Sequence, residues 1–460
     1  MEATHAALVR IKGDLPPTPP IPGSLQTLAC RLRPLDLFDW CRGNLGDRFT
    51  LYPVNLPPVV FLSNPEDIRA VLAAPSSVLQ PGAGGNAIAP IVGPRSFMLD
   101  DADEHMRGRR TILPSFSASA LDEDARRIND IIEAEVASWP LDRSFAVFPR
   151  VRSMSLRIIL GTVFRDDGER LRRLHDHMLR MLDMTASFVL VEPRLRHLPL
   201  WKGIWRRFTY ERARVDEEIR ALIEAPPYRS TDDVLGRLLA TTNEDGTPLT
   251  PAQLRDNLIS VILAGHETTA SEAAWALQLI AHAPDAQARL AREIDVGSEE
   301  RYLQATIFEV LRHRPVFVFA IPRVVAAPFE LGGWTFRPPV QLLASIYLLH
   351  HDPSLYSTPN TFLPDRFLSG APEPSAWLPW GGGHKRCPGH RLATLELKSV
   401  IRATLATRAV RPASRRIERA RWRSVIVTPA NGGQVLLRAR RRHVRRYPAQ
   451  SRLRAGYRFL

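Results

Sequence analysis

A single cysteine in the last quarter of the chain stands in a setting typical of a thiol that acts as a ligand. The stretch from Trp380 to His390 reads WGGGHKRCPGH. Cys387 lies just before a predicted helix, whose N-terminal N–H groups favour a thiolate, and Lys385 and Arg386 favour the same anion. The glycines at 381–383 let the backbone turn and approach a neighbouring group closely. This pattern predicts that Cys387 is an anionic ligand directed toward a bound group.

The other cysteines limit what that ligand binds. Only Cys30 and Cys41 accompany Cys387, and an odd, small number argues against a disulfide scaffold. Neither has metal-ligand spacing to a histidine, and both are interpreted as buried or indifferent thiols. No local protease signature surrounds Cys387, although a histidine that is near only in space stays an alternative. A single thiolate with room for a flat group favours haem.

A second feature lies in a long apolar helix. Thr250 predicts its N-cap, with Pro251 at the first helical position and Gln253 completing a capping box, and the pattern ends at Pro284. Some 33 residues would make a rod of about 50 Å, which must cross the whole domain. The middle of this rod is apolar on nearly all sides, so we expect it to be buried.

The centre of this helix contains AGHETT, residues 264–269. Glycine costs about 1 kcal/mol in a helix interior, and a buried unpaired carboxylate costs several. Threonines can bond to carbonyls four residues earlier and bend a helix. The pattern predicts a local distortion where an acid, Glu267, meets a hydroxyl, Thr268, and such expensive exceptions mark sites. The alternative is a hinge with Glu267 facing the surface.

The rest of the chain predicts a mainly α protein with small β-sheets (α+β), built as one large helical domain. Residues 48–54 and 59–64 read as a hairpin, followed by a helix capped by Asn64. Helical patterns dominate from 101 to 420, and short β-like runs follow Pro315. The runs RSVIVTP and QVLLRAR, which flank ANGG, predict another hairpin. No internal repeat or linker divides the chain.

Composition and charge set the remaining bounds. The 460 residues are 45% hydrophobic and 24% charged, with a formal net charge of +14. No acidic residue follows Glu418, whereas twelve arginines do, so most of that charge belongs to the C-terminal end. Such a tail is expected to be solvated, with nucleic-acid binding as the less favoured alternative. No apolar stretch suits a membrane anchor or a signal peptide, which predicts a cytoplasmic protein.

Several motifs now resemble the cytochrome P450 family, of the soluble bacterial type, from about Pro16 to Arg438. Trp380–Gly389 is similar to the family's cysteine loop, and Ala264–Thr269 to its oxygen-activating stretch. The resemblance divides the chain into a Pro-rich lead-in (1–24), a haem domain (25–438) and an Arg-rich tail (439–460). The remaining matches are Glu309 and Arg312 in a Glu-x-x-Arg motif, Arg366 in FLPDRF, His105 and Arg109 in HMRGRR, and Arg323 in AIPRVV.

The resemblance implies haem b (iron protoporphyrin IX) between the long central helix and the cysteine-loop helix. Cys387 would be its axial ligand, and Thr268 and Glu267 would form the proton relay for oxygen activation. Glu309, Arg312 and Arg366 would form a buried structural triad. The implied cofactor-binding residues are His105, Arg109, Arg323, Lys385, Gly383, Trp380, Ala264 and Gly265. Two of them depart from the family pattern: Trp380 replaces a phenylalanine, and Lys385 replaces an arginine or histidine.

The implied activity is insertion of one atom of O₂ into a substrate with two electrons from a partner. No flavin or nicotinamide domain fits beside the haem domain, so the donor is expected to be a ferredoxin or flavodoxin with its NAD(P)H reductase. Apolar segments at 80–97, 187–208 and 316–321 predict a lipophilic substrate, and a monomer is expected. Two alternatives stay open: a haem-thiolate peroxygenase or isomerase on the same fold, and a non-catalytic haem protein whose basic tail binds nucleic acid or membrane.

Overall fold

The computed structural model describes residues 14–85, 88–165, 168–184, 199–225, 233–297, 299–370 and 373–440. Helices dominate these residues and the strands form small sheets, which confirms the predicted fold class. The first thirteen residues of the predicted lead-in lie outside the described residues. So do positions 187–198 of one predicted substrate segment and positions 441–460 of the predicted tail. Among the described residues, no helix has the length and apolar character needed to cross a membrane.

The helices are numbered here in chain order. They are α1 (Gly23–Leu32), α2 (Pro34–Leu45), α3 (Pro65–Ala73), α4 (Pro81–Gly84), α5 (Ala89–Val92), α6 (Ala102–Ile112), α7 (Ala118–Ala137), α8 (Val147–Phe164), α9 (Glu169–Asp183), α10 (Pro199–Glu224), α11 (Val234–Leu239), α12 (Pro251–His282), α13 (Pro284–Val296), α14 (Arg301–His313), α15 (Ile346–His350) and α16 (His390–Thr407). Short 3₁₀ turns lie at Leu113–Phe116, Pro364–Phe367 and Gly383–Lys385.

The strands form four small sheets. They are β1 (Arg48–Leu51), β2 (Val59–Leu62), β3 (Leu79–Gln80), β4 (Ser144–Ala146), β5 (Arg323–Val325), β6 (Phe329–Leu331), β7 (Trp334–Phe336), β8 (Gln341–Ala344), β9 (Arg408–Pro412), β10 (Ala420–Arg423), β11 (Ile426–Pro429) and β12 (Gln434–Ala439). The largest sheet has the order β1-β2-β8-β5-β3. Its β1–β2 pair is the predicted first hairpin, with Arg48 opposite Leu62, and the predicted Asn64 cap of α3 is confirmed.

The second predicted hairpin is wrong. Strand β11 pairs with β10, whereas β12 pairs with β9 and β4 in a different sheet. Gly432 and Gly433 turn the chain between them with positive φ angles. Beyond that turn, β12 buries Val435 and Leu437 in the main core. The two runs therefore have the right secondary structure, but burial of these side chains sends β12 to other partners.

Helix α12 crosses the centre of the main core, as predicted. Its capping box is present: Gln253 N–H donates to Thr250 Oγ1, and Thr250 N–H donates to Gln253 Oε1. The helix ends at His282, and Pro284 starts α13. It packs against α8 along one side and against α16, the helix after the cysteine loop, along another. This arrangement brings the two chemical features of the sequence into one region.

Candidate functional site

The cysteine loop closes on itself ahead of α16. Cys387 N–H donates to the Trp380 carbonyl at 2.8 Å, and the Gly389 N–H bonds to the Cys387 thiol. Burial raises the pKa of this thiol, whereas the Gly389 N–H and the charges of Arg109 and Arg386 lower it. The helix begins three residues later, at His390, so the predicted position ahead of a helix N-terminus is confirmed.

Gly383 is required by the neighbouring protein backbone. Its φ angle is +62°, and a Cβ there would lie 2.5 Å from the Leu72 carbonyl oxygen at the end of α3. A side chain at this position would therefore have both a strained backbone and a main-chain clash. The glycine lets the loop pack against α3, which is a reason that local sequence does not reveal.

Three cationic side chains lie on the cysteine loop or close to it, and their described hydrogen bonds go to main-chain carbonyl oxygens. Arg109 Nη1 donates to the Arg386 carbonyl, and Arg323 Nη1 donates to that of Ile321 at 2.7 Å. Lys385 Nζ reaches the carbonyls of Met98 and Asp100 at 3.1 and 2.6 Å. Burial lowers the pKa of Arg323 to about 10 and that of Lys385 to about 8. The Arg323 charge also lowers the pKa of Lys385, so the two cations lie within electrostatic reach.

His105 ties α6 to the cysteine loop. Its Nδ1 lies 2.8 Å from the Phe97 carbonyl oxygen, and its Nε2 lies 3.1 Å from that of His384. Burial and the Lys385 charge lower the pKa of this buried imidazole. Both ring nitrogens therefore face the main chain in this structure, and a contact between His105 and a haem propionate stays a prediction.

One face of α12 is open at the predicted site although the rest of the helix centre is buried. Ala264 is exposed and Thr268 is half-buried, whereas His266 and Glu267 are buried. Thr268 Oγ1 donates to the Ala264 carbonyl at 2.8 Å, the predicted threonine back-bond, and the helix continues unbroken. Gly265 points elsewhere, because a Cβ there would lie 2.9 Å from the Ile159 side chain on α8.

Glu267 lies in a charged network that sequence reasoning missed. Its Oε1 is 3.4 Å from Arg152 Nη1 on α8 and 3.1 Å from Arg423 Nε on β10. The same two arginines reach Asp183 at the end of α9, at 2.6 and 3.2 Å. Glu267 is only 5% exposed, which excludes the surface-facing alternative. Two carboxylates thus share two arginines beside the open face of α12.

A turn beyond Thr268, α12 carries another buried acid, Glu272, that the sequence analysis missed. Glu272 Oε1 accepts the Val316 N–H at 2.7 Å, and burial raises the pKa of this carboxyl well above its ordinary value. Next to it, Ser271 Oγ donates to the Val427 carbonyl at 2.8 Å, and Val427 N–H donates to that of Val316 at 2.9 Å. These bonds join α12, β11 and the predicted substrate segment 316–321.

Helix α16 carries a third missed acid. Glu396 Oε2 lies 2.7 Å from Ser155 Oγ on α8, and Ser155 Oγ lies 3.3 Å from the Gly265 carbonyl on α12. Burial raises the pKa of Glu396 to about 8. A local signal existed, since Glu396 stands between Leu392 and Val400 at four-residue spacing on the buried stripe of α16.

The predicted triad is assembled in the structure. Glu309 receives Arg312 Nε and Nη2 at 2.7 and 2.8 Å, and Arg366 Nε approaches the same carboxylate at 3.1 Å. The side chains of Glu309 and Arg312 are fully buried. Arg366 also donates to the Ser357 carbonyl. The three side chains therefore hold α14 against the Pro364–Phe367 turn.

Fold and site together define the class of protein. The family model for cytochrome P450 matches residues 15–437. Cytochrome P450 135B1 of Mycobacterium tuberculosis is 33% identical over 435 residues, which cover 93% of this chain and 92% of that protein. Cytochrome P450 137 of the same organism is 33% identical over 402 residues, covering 86% and 84%.

Solved structures show the same fold. A retinoic-acid-bound cyanobacterial CYP120A1 superposes with a TM-score of 0.78 at 21% identity, covering 90% of this chain and 96% of that one. The haem domain of cytochrome P450DA gives a TM-score of 0.79 at 20% identity, covering 94% and 99%. The chain belongs to the cytochrome P450 family, and its cofactor is haem b, which the family binds through a cysteine thiolate.

The described residues fit this cofactor. The open Ala264–Thr268 face of α12 leaves space within an otherwise buried helix centre. The N–H-bonded Cys387 thiol is a group of the type through which the family binds its haem. Arg109, Arg323 and Lys385 supply positive charge suited to the two haem propionates. Family membership makes the chain a haem-thiolate monooxygenase in general terms.

Proposed function

We propose that this protein inserts one oxygen atom from O₂ into a lipophilic organic substrate, by hydroxylation or epoxidation. The observation that carries the proposal is the open Ala264–Thr268 face of α12, in a region that also contains the cysteine loop. The bound haem supplies oxygen activation, and a thiolate ligand favours O–O cleavage over simple oxygen carriage. Cys387 is the proposed axial ligand, and Arg109, Arg323 and Lys385 are the proposed propionate partners.

Thr268 and Glu267 are the proposed groups for proton delivery. Thr268 presents a hydroxyl on the open face, where it can exchange its bond to the Ala264 carbonyl for one to a bound water. Glu267 is held by Arg152 and Arg423, which fix the position of its carboxylate next to Thr268 in the chain, and a positioned carboxyl group can take part in proton transfer. An acid and an alcohol in adjacent positions favour the monooxygenase over the peroxygenase alternative, whose members typically lack this pair.

Electrons are proposed to come from a separate ferredoxin or flavodoxin with its NAD(P)H reductase, in the cytoplasm. Among the cations on the cysteine loop and the helix after it, Lys385 is bound to two carbonyls and Lys398 pairs with Glu300 at 3.3 Å. Arg386 next to Cys387 is exposed. Arg386 is therefore the residue of this group best placed to steer an acidic donor.

A carbon-monoxide difference spectrum of the reduced protein tests the proposed ligand. Thiolate-ligated haem should give the Soret band characteristic of the family in the wild type, and Cys387→His should lose it while keeping bound haem. Titration with lipophilic compounds should then shift the oxidised protein from low to high spin. Turnover with hydrogen peroxide that exceeds turnover with a ferredoxin and reductase, unaffected by Thr268→Ala, would favour the peroxygenase instead.

A further inference from the structure

Helix α1 turns an apolar face to solvent. Leu25 and Leu28 are each 50% exposed, and Leu32 is 65% exposed. Spacings of three and four residues place these leucines on one side of the helix. Ile21, just before the helix, continues the same stripe and is 37% exposed. A surface helix normally turns such a stripe toward the core.

The other side of α1 buries a polar residue. Gln26 is only 3% exposed. Its Nε2 donates to the Ile21 carbonyl at 2.9 Å, and its Oε1 accepts the Tyr52 N–H at 2.8 Å. Ala29 and Cys30 on the same side pack against an apolar cluster, so the inner side of α1 is held by both polar and apolar contacts. Its leucines point outward and remain exposed among the residues that the structure describes.

The turn between β1 and β2 extends the apolar surface. Val54 N–H donates to Thr27 Oγ1 at 3.0 Å, so the turn lies against α1. Val54 and Leu56 are 50% and 58% exposed. We call the combined surface the leucine face. It consists of Ile21, Leu25, Leu28, Leu32, Val54 and Leu56.

The charges near the leucine face are positive. Residues 15–35 contain Arg31 and Arg33 and no acidic residue, and residues 49–62 contain no charged residue. Arg33 pairs with Asp36 at 3.7 Å, with both side chains exposed. Strand β10 is tied to α1 because Trp422 Nε1 donates to the Cys30 carbonyl at 2.8 Å. It brings the exposed Arg421 within electrostatic reach of Arg31.

We propose that the leucine face docks on the surface of a lipid bilayer that contains anionic lipids. The leucines would enter the boundary between headgroups and acyl chains, and Arg31 and Arg421 would meet the anionic headgroups. The exposed apolar side chains suit the acyl-chain boundary, and the arginines at their edge suit the anionic headgroups. A second copy of the chain is a poorer occupant, because it would bring more arginines to the same edge.

The test is sedimentation of the full-length, haem-loaded protein with vesicles of phosphatidylcholine, alone or mixed with phosphatidylglycerol. The wild type should bind the mixed vesicles more strongly. The double variant Leu25→Ser/Leu28→Ser should lower the partition coefficient by about tenfold or more, since two buried apolar side chains are lost. Arg31→Gln/Arg421→Gln should weaken the preference for phosphatidylglycerol. Val296→Ser is the matched control, because Val296 is 75% exposed at the end of α13.

Four results would overturn the proposal. The wild type could fail to bind either vesicle. The leucine double variant could bind as well as the wild type, or binding could vanish at high salt, which would assign the interaction to the Arg-rich tail. The wild type could form a dimer in vesicle-free solution that Leu25→Ser/Leu28→Ser abolishes, which would assign the leucine face to a second copy. An unchanged carbon-monoxide spectrum in each variant shows that the haem domain is intact.

Discussion

Two buried glutamates each meet two arginines, and the two clusters are built in opposite ways. Glu309 takes two bonds from Arg312 at 2.7 and 2.8 Å and a contact from Arg366 at 3.1 Å. Glu267 offers one oxygen to Arg152 and Arg423, at 3.4 and 3.1 Å. The first cluster holds one carboxylate, whereas the second holds two, because Asp183 competes for the same arginines.

The two clusters differ in how many protein acceptors bind the N–H groups of their arginines. Arg312 also donates to the carbonyls of His350, Pro359 and Thr361, and the Leu363 N–H donates to Glu309. Every guanidinium nitrogen of Arg312 therefore has an acceptor inside this cluster. In the other cluster, the Asp183 side chain is 61% exposed, so the arginines can shift between a buried and a solvated carboxylate. We infer that the first cluster stabilises the fold and the second permits proton movement.

The largest expected effect is on the closed cluster. Arg312→Leu leaves Glu309 buried without its bidentate partner, and breaking a buried pair in this way costs about 3–5 kcal/mol. That is a large part of the 5–15 kcal/mol typical of a folded domain. Thermal unfolding followed by circular dichroism should show a much lower Tm and poor haem retention. Arg438→Leu is the control and should melt like the wild type, because both side chains of its ion pair with Asp142 are exposed; equal Tm values for the two variants would refute the assignment.

The next effect should fall on turnover. In Glu267→Gln, Asp183 still neutralises both arginines, so the Tm should fall much less than in Arg312→Leu. Loss of a positioned proton donor typically costs about 10²-fold in rate, measured as product formed per reduced nicotinamide with an intact carbon-monoxide spectrum. Glu272→Gln is the matched control on the same helix, because burial raises the pKa of this carboxyl well above its ordinary value and an amide resembles the protonated acid. Equal turnover in the wild type and Glu267→Gln would remove Glu267 from the relay.

Glu396 sharpens the comparison because its described partner is a hydroxyl rather than a cation. Burial raises its pKa from 4.5 to about 8, so between these values the folded state binds more protons than the unfolded state. Stability should therefore fall as pH rises from about 5 to 8, by an amount on the order of a few kcal/mol. Glu396→Gln, which mimics the neutral acid, should lack this loss. Urea denaturation of both proteins across that range is the measurement. If the stability of both proteins changed in parallel with pH, Glu396 would not have the raised pKa in the folded state.

The smallest expected change in stability is at the exposed end of the open cluster. Asp183→Asn removes a solvated partner, and such pairs contribute less than about 1 kcal/mol. The arginines should then remain on Glu267, which should lower turnover by a few-fold while the Tm barely moves. A fall in Tm comparable with that of Arg312→Leu would show instead that this cluster is closed as well.

The parts of the site that were predicted correctly are those with local patterns. The capping box of α12 lies within four residues, and Glu309 and Arg312 lie on one turn of a helix. The position of Cys387 could be predicted because a helical pattern follows it directly in the sequence. Glu396 carried a comparable signal, an acid on an apolar stripe, that sequence reasoning did not use.

Other features had no local signal. The second hairpin was wrong because strand partners depend on which side chains the core accepts, and Val435 and Leu437 found space away from β11. The network around Glu267 draws Arg152, Asp183 and Arg423 from three elements far apart in sequence. No spacing rule connects them, and only the folded chain brings them within 4 Å.

The sequence by itself determined the fold class, the central helix and the position of Cys387 ahead of a helix, because periodicity, caps and short motifs act over a few residues. The tertiary structure alone decided the environments of the buried acids. Desolvation and pairing depend on every neighbouring element, so Glu267 is paired with two arginines, whereas burial raises the pKa of Glu272 and Glu396. It also decided which side of α1 faces outward, since the bonds of Gln26 to Tyr52 and Ile21 hold the leucines in solvent.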